Sequence, residues 1–234
     1  MQISIVGTHG AGKTTVLSRL HNLLDAERCP YVMVKEVARH CPFPIGETSS
    51  KQSQDWIIGT QKYFEDNCAK MCYPVITDRN MIDQYAYYTY WVGENKAIEE
   101  ELIIRYINRN NHILLMPANP DYLVADGVCP ICVKFQEEIH TIILRIVDKL
   151  GSYDSCKCNT FHFLNDNSID TIVDLVRNYV SEGHASRTIT NAEYVYKNEI
   201  FKEIVSLHNF SPDNLSPEYF DSVFYSEIIQ HKRK

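Results

Sequence analysis

The glycine-rich segment GTHGAGKTT constrains this chain more than any other feature. It occupies residues 7–15 and matches the pattern G-x-x-x-x-G-K-[ST] in full. A short apolar run, QISIV, precedes it, and a helical pattern with apolar residues on one face starts at Lys13. A strand, a glycine turn and a helix in this order direct successive backbone N–H groups at a phosphate. The sequence therefore predicts a phosphate-binding loop in an α/β domain.

Individual loop residues suggest ATP and Mg²⁺ as ligands. Lys13 is expected to reach the β- and γ-phosphates, and the Thr14 hydroxyl is expected to coordinate Mg²⁺. His9 stands at a position that the pattern leaves free and receives no role of its own. The alternative is a glycine-rich turn that carries a lysine by chance. The predicted nucleotide contacts are Gly7, Thr8, His9, Gly10, Ala11, Gly12, Lys13, Thr14 and Thr15.

Short apolar runs alternate with helical patterns up to about residue 180. The predicted strands are QISIV (2–6), YVMVKEV (31–37), PVIT (74–77), HILLM (112–116) and TFHFL (160–164). Strands separated by helices of this length form a parallel sheet covered by helices. We therefore predict a three-layer α/β/α domain with a central parallel sheet over residues 1–180. Two amphipathic stretches predict a helical C-terminal extension over residues 181–234.

Composition and charge indicate where in the cell this chain is expected and which partners it is not expected to bind. The net charge of −7 argues against an extended nucleic-acid surface. No run of 18 or more uncharged apolar residues is present, so no membrane span is expected. The N-terminal sequence lacks the features of a signal peptide, which indicates a cytoplasmic location where the eight cysteines remain free thiols or bind metal. An oligomer is compatible with this composition.

An Asp-Arg pair follows the third predicted strand. Asp78 stands at the carboxyl end of that strand, where a carboxylate can bind Mg²⁺, orient its water or activate a nucleophile. Arg79 beside it can brace a transferred phosphoryl group or clamp a substrate. The alternative is that Asp78 caps the following helix and Arg79 is solvated.

Glu36 ends the second predicted strand, at the edge of the sheet where α/β proteins bind ligands. It can accept the proton of a substrate hydroxyl or orient that hydroxyl, unless it is a plain surface carboxylate. Arg39 is a weaker candidate for the same site. Aromatic residues after the Asp-Arg pair either stack on a base or fill the core; they are Tyr85, Tyr87, Tyr88, Tyr90 and Trp91.

Four segments in this order resemble a known group of proteins. They are GTHGAGKTT, KEVARH, VITDRNMIDQYAYY and ADGV…KFQEEI, all between residues 1 and 180. Together they resemble the NadR-type nicotinamide riboside kinase domain and related AAA-type ATPase and kinase domains, which share the P-loop NTPase fold. The Asp-Arg pair also resembles a motif of deoxynucleoside kinases.

The resemblance implies a small-molecule kinase that transfers the γ-phosphate of ATP to a nucleoside, nucleotide or ribosyl acceptor. The acceptor would lie between Glu36, Asp78, Arg79 and a lid over residues 118–134, with Asp126 and Lys134 as further contacts. Related lids carry an arginine where this chain has Cys129. Lys134, or more remotely Arg187 in the linker, could supply the missing charge.

Two close cysteine pairs raise the question of a zinc site. Cys129 and Cys132, with Cys156, Cys158 and a nearby His162, have the right ligand types. However, the helix predicted between the two pairs would span about 24 Å at the standard rise. Zinc would therefore need a broken helix or a site shared between two chains, which disfavours it.

Two other functions remain open from the sequence. One is a nucleotide-dependent switch whose C-terminal helices contact a protein partner. It would respond to ATP or GTP, although the absence of an N-K-x-D motif counts against GTP. The other is a kinase that acts on nucleic-acid ends, against which the acidic balance counts.

Overall fold

Five strands form one fully parallel sheet. The computed structural model describes residues 1–68, 73–108, 111–123, 132–153, 159–163 and 165–182. The strands are β1 (Gln2–Val6), β2 (Val32–Val34), β3 (Val75–Asp78), β4 (Asn111–Leu115) and β5 (Asn159–His162). Their order in the sheet is β2-β3-β1-β4-β5, so β1 and the loop that follows it lie at the centre. All five residues of β1 are buried, as expected for a strand covered on both faces.

Helices cover both faces of this sheet. They are α1 (Lys13–Ala26), α2 (Lys51–Cys68), α3 (Met81–Trp91), α4 (Lys96–Asn108), α5 (Val133–Gly151) and α6 (Asp166–Ser181). On one face, Ile3 and Ile5 of β1 share a core cluster with residues of α1 and α6. On the other, Val6 shares a cluster with residues of α2, α3, α4 and α5. The three-layer α/β/α architecture with a central parallel sheet confirms the predicted fold class.

The second strand is shorter than predicted. It ends at Val34, and a 3₁₀ turn follows at Val37–His40. Extending this strand to Val37, with Glu36 at its end, was therefore wrong. Strand β2 lies at the edge of the sheet and pairs with β3 only up to Val34 and Thr77. Beyond that point the chain turns, and Glu36 precedes the turn with its side chain directed at Arg79.

Several sequence-based predictions lie outside the described residues. These include the lid segment 124–131 with Asp126 and Cys129, the second cysteine pair, and everything from residue 183 onward, including Arg187. The boundary at residue 180 and the helical extension therefore stay predictions. Within the described ranges, no cluster of three or more His, Cys, Asp or Glu could hold a metal ion. In the same ranges no helix combines the length and apolarity needed to cross a membrane.

The start of α3 is fixed by a capping box. The Asn80 side chain accepts hydrogen bonds from the N–H of Ile82 at 2.9 Å and that of Asp83 at 3.4 Å. In return, the Asp83 carboxylate accepts from the N–H of Asn80 at 3.1 Å. The cap is thus Asn80, so the alternative that Asp78 caps this helix is wrong. The capping box starts α3 immediately after β3. Asp78 and Arg79 therefore lie at the carboxyl end of that strand.

We expect Asn80→Ala to lower the free energy of unfolding by about 1–2 kcal/mol, because buried N–H groups lose their acceptor. Asn80 is fully buried, whereas Asn165, which caps α6 through the N–H of Asn167, is exposed. The control Asn165→Ala should therefore cost about 0.5–1 kcal/mol. Urea unfolding of both variants measures the difference. Equal losses would contradict the importance of the buried cap.

Candidate active site

The phosphate-binding loop lies at the carboxyl end of the central strand, and its glycines are sterically required. A Cβ atom on Gly7 would lie 2.9 Å from Cβ of Met116 on the neighbouring chain segment. Gly10 and Gly12 have φ angles of 65° and 77°, in the left-handed region that L side chains rarely adopt. Gly12 also precedes the first turn of α1. Close packing at Gly7 and the backbone conformation at Gly10 and Gly12 therefore both require glycine in this loop.

Lys13 is a buried cation that curls over the loop. Its ammonium group donates to the carbonyl oxygen of Gly7 at 2.8 Å and to that of Thr8 at 2.6 Å. Burial, together with the nearby Arg79 charge, lowers the pKa of Lys13 to about 8, although the charges of Asp78, Asp83 and Glu36 oppose this shift. The loop residues from His9 to Thr14 line an open cavity. Lys13 therefore brings a weakly solvated positive charge to a space lined by backbone N–H groups.

Contacts from two helices hold the loop in place. From α3, the fully buried Asp83 accepts the N–H of Gly7 at 2.8 Å, and the Tyr87 hydroxyl accepts the N–H of His9 at 3.0 Å. From α5, the Gln136 amide donates to the carbonyl of His9 at 2.9 Å. The His9 ring stacks on Phe135 with centroids 4.9 Å apart. His9, which received no role of its own from the sequence, thus binds to both helices.

The buried Arg79 and the partly buried Glu36 form an ion pair beside this loop. Nε of Arg79 donates to Oε1 of Glu36 at 2.6 Å, and Nε of Arg39 donates to Oε2 at 2.8 Å. Arg79 is 4% exposed; its guanidinium also donates to the carbonyl of Gly7 at 3.2 Å and lies over the ring of Tyr87. Its φ of 71° is unusual for a residue with a side chain and costs roughly 1 kcal/mol or more. Such strain at the end of a strand is typical of functional positions.

The three carboxylates near the loop have different pKa values. Burial alone would raise the pKa of Glu36, but the charges of Arg79, Lys13 and Arg39 lower it to about 2. Burial raises the pKa of Asp83 to about 6, although Arg79 and Lys13 oppose this. Burial also raises the pKa of Asp78, opposed by Lys13, with a further rise from the Glu36 charge. Glu36 is therefore the carboxylate held most firmly in its ionised form.

Asp78 and Thr14 have the properties expected of magnesium ligands. Both line the same cavity as Lys13. Oδ1 of Asp78 is buried and has no hydrogen-bond partner among the described residues. A buried carboxylate oxygen without a donor, near a hydroxyl group, suits a hard divalent cation that prefers oxygen ligands. The residues present therefore fit Mg²⁺ on an observation independent of the sequence pattern.

The other predicted residues differ in their exposure. Thr14 and Thr15 are exposed at the start of α1, and Thr8 and Ala11 are buried in the loop. Lys134 is exposed on the first turn of α5, 3.8 Å from Glu138, and is not among the described residues that line the cavities. Its substrate contact stays a prediction.

A second, smaller cavity adjoins the phosphate cavity and shares Glu36 and Arg79 with it. Two of the candidate aromatic residues, Tyr87 and Trp91, line this cavity, whereas Tyr85 and Tyr88 are buried in the core. Tyr85 and Tyr88 therefore fill the core, whereas base stacking by Tyr87 and Trp91 stays a prediction. The cavity also contains groups that the sequence analysis did not identify, Gln54 and Gln84.

A local sequence pattern could have revealed Asp83 as a helix-capping residue, but not its contact with the loop. Asp83 stands three residues after Asn80, and a polar cap followed by a carboxylate at this spacing is the sequence mark of a capping box. Its bond to Gly7 joins residues 76 positions apart, and that of Gln136 to His9 joins residues 127 apart. No short-range pattern reports such contacts.

Comparisons with solved structures show a related fold. The chain is similar to a deoxyadenosine kinase from M. mycoides with the products dCMP and a flexible dCDP bound, with a TM-score of 0.50 and 16% identity over 78% of this chain and 100% of that one. A structure of the same kinase with bound dATP gives a TM-score of 0.47 and 15% identity over 77% and 99%. None of the curated proteins compared with this sequence matches it.

A family model described as an AAA domain matches residues 2–153. The matched part contains β1 to β4, the phosphate-binding loop and α5. The finer resemblance to NadR-type kinase domains stays a prediction. Because the match extends over more than half of the chain and includes the whole described site, this protein belongs to that AAA-domain family and has a P-loop NTPase fold.

Proposed function

We propose that this protein transfers the γ-phosphate of ATP to a hydroxyl group of a nucleoside, nucleotide or ribosyl acceptor. The observation that carries this proposal is the junction between the two cavities. Glu36 and Arg79 line both the phosphate cavity and the cavity that contains Tyr87 and Trp91. An acceptor in the second cavity would meet ATP phosphates at this ion pair. The deoxyadenosine kinase with a similar fold, whose structure holds dCMP and dCDP, supports a nucleoside-type acceptor.

The loop and the buried cations would hold the triphosphate. Backbone N–H groups and Lys13 bind phosphate oxygens, and Thr14 and Asp78 hold Mg²⁺. When bound, Mg²⁺ neutralises charge on the phosphates. Arg79 is already ordered by Glu36, Asp83 and Tyr87, so little reorganisation is needed before it stabilises charge on the transferred group.

Glu36 is better suited to orienting the acceptor hydroxyl than to strong base catalysis. A general base works best with a pKa near the working pH, and the pKa of Glu36 is about 2. Its carboxylate is ionised at neutral pH and can accept a hydrogen bond from the acceptor hydroxyl. Phosphoryl transfer through a loose transition state depends mainly on positioning and charge stabilisation, so an orienting carboxylate is sufficient.

Transfer is tested with radiolabelled or coupled assays of ATP against a panel of nucleosides, nucleoside monophosphates and ribosides. We expect Glu36→Gln to lower kcat about 100-fold and Arg79→Lys to lower it about 100- to 1000-fold. The control Arg145→Gln breaks an exposed ion pair with Glu94 on the outer side of α5 and should leave kcat unchanged. Full transfer by either site variant would overturn the assignment. ATP hydrolysis without transfer to any panel member would favour a nucleotide-dependent switch instead.

ATP affinity should fall as the pH rises through about 8. The cationic form of Lys13 binds phosphates, and burial lowers its pKa to about 8, so the neutral form becomes dominant above this pH. We expect Kd to rise by up to about tenfold for each pH unit above 8. Isothermal titration from pH 7 to pH 9.5 measures this dependence. Lys13→Arg, which stays charged, should bind more weakly but with a flat profile; parallel slopes for the two proteins would contradict the role of Lys13 ionisation.

A further inference from the structure

We propose that Glu65, a buried residue of α2, is a positioning residue for phosphoryl transfer because it holds the turn that carries Arg79. Glu65 is 1% exposed and is not among the described residues that line the two cavities. It therefore acts through Arg79 rather than by contact with a substrate. This inference rests on the proposed function for its effect on the reaction, whereas hydrogen exchange tests its structural part separately.

The connection between β3 and α3 is short and strained. Strand β3 ends at Asp78, and α3 begins at Met81. The two residues between them are Arg79, with a φ angle of 71°, and Asn80, which is extended at φ −151° and ψ −170°. A residue with a side chain keeps a positive φ only where the surrounding structure holds it there. The direction of the Arg79 side chain therefore depends on how firmly both ends of this connection are held.

A main-chain hydrogen bond holds the strand end of the connection, and Glu65 holds the helix end. The N–H of Arg79 donates to the carbonyl oxygen of Ile5 in β1 at 3.1 Å. The N–H of Met81 donates to Oε1 of Glu65 at 2.7 Å. Because Met81 is the first residue of α3, its N–H has no acceptor within that helix. A side chain from a neighbouring helix thus supplies the missing acceptor directly after the turn.

Neighbouring side chains fix the carboxylate of Glu65. The Gln61 amide lies 3.2 Å from Oε1, and the Tyr106 hydroxyl of α4 lies 3.3 Å from Oε1 and 3.2 Å from Oε2. Burial raises the pKa of Glu65, although the charge of Arg105 opposes this shift. Oε1 accepts the Met81 N–H whether or not Oε2 carries a proton. The bond to the turn therefore needs an acceptor oxygen at this position, but not a negative charge.

The helix that carries Glu65 also lines the cavity proposed for the acceptor. Gln54 and Ile57 of α2 lie in the wall of this cavity, which Arg79 also lines. Because α2 is one continuous helix, the bond from Glu65 to Met81 holds Arg79 at a fixed distance from that wall. Phosphoryl transfer depends on the relative position of the acceptor and the groups that stabilise charge. A residue outside the cavity thus contributes to the geometry of the reaction.

Two substitutions separate the acceptor oxygen of Glu65 from its charge. Glu65→Gln keeps an oxygen for the Met81 N–H, whereas Glu65→Met keeps a similar volume and removes the acceptor. In the transfer assay with the full chain, ATP, Mg²⁺ and an accepted panel member, we expect Glu65→Met to lower kcat about 10- to 100-fold. Glu65→Gln should retain kcat within about threefold of the wild-type value.

The Michaelis constant distinguishes a positioning role from general damage to the site. In Glu65→Met, Asn80 still accepts the N–H groups of Ile82 and Asp83, so α3 begins at the same residue. Asp83 can then still accept the N–H of Gly7 in the phosphate-binding loop. We therefore expect KM for ATP to change less than about threefold. A rise in KM for ATP as large as the fall in kcat would contradict the inference.

The neighbouring carboxylate provides the matched control. Asp66 is the next residue of α2 and pairs with Arg105 of α4. Asp66→Asn should lower the free energy of unfolding but leave kcat unchanged. An equal loss of kcat in folded Asp66→Asn and Glu65→Met proteins would overturn the positioning role. A Glu65→Gln protein as slow as Glu65→Met would overturn it as well.

A double-mutant cycle tests whether Glu65 acts through Arg79. Two residues that act as a unit have non-additive effects on kcat. In the Arg79→Lys background, Glu65→Met should therefore lower kcat by less than about a further threefold. A further loss as large as that in the wild-type background would show that Glu65 acts by another route, which would contradict the inference.

Amide hydrogen exchange separates this inference from the proposed function. If the wild-type protein phosphorylates no panel member, the kinase proposal fails. Exchange over residues 79–83 is then compared in the wild-type, Glu65→Gln and Glu65→Met proteins. We expect exchange about tenfold faster in Glu65→Met than in the other two. That result would still support the role of Glu65 in holding the turn, whereas equal protection in all three proteins would overturn it.

Discussion

The buried guanidinium of Arg79 is the interaction on which the rest of the site depends. A cation removed from water is strongly destabilising unless charged and polar partners surround it. Its partners come from separate parts of the fold: Glu36 after β2, the carbonyl of Gly7 after β1, and Asp83 and Tyr87 on α3. These partners are brought together only when the sheet order β2-β3-β1 and the start of α3 are in place. The charged centre therefore forms as a consequence of the completed fold.

The same cation separates the properties of the surrounding carboxylates. Direct contact with Arg79, together with Lys13 and Arg39, holds Glu36 ionised, whereas burial dominates for Asp83 and Asp78 and raises the pKa of each. The three carboxylates consequently differ in what they bind. Asp83 accepts backbone N–H groups and positions the loop, Asp78 has an oxygen without a donor among the described residues, and Glu36 stays ionised between Arg79 and Arg39. The three carboxylates are thus neighbours of the same chemical type, but they differ in their structural and chemical roles.

Local patterns predicted the parts of this arrangement that depend on local physics. The loop motif, the buried strands and the Asp78-Arg79 pair were predicted because strand, turn and helix signals are short-range. Glu36 was expected at the end of an extended strand because all residues of YVMVKEV except the charged Lys35 and Glu36 favour strands. An edge strand without a partner beyond Thr77, and an attraction to Arg79 from 43 positions along the chain, overrode that propensity. The amides of Gln54 and Gln84 were missed because only the fold brings them to one cavity.

Helix α3 contacts the phosphate-binding loop and also lines the second cavity. Asp83 binds the backbone of Gly7, its neighbour Gln84 lines the second cavity, and Tyr87, one turn later, contacts both His9 and Arg79. The capping box at Asn80 sets the position of all three because it fixes where the helix begins. A displacement of α3 would therefore change the phosphate loop and the second cavity together. The charged side chains of Glu36 and Arg79 lie where the two cavities meet, whereas the neutral amides of Gln54 and Gln84 lie in the wall of the second cavity alone.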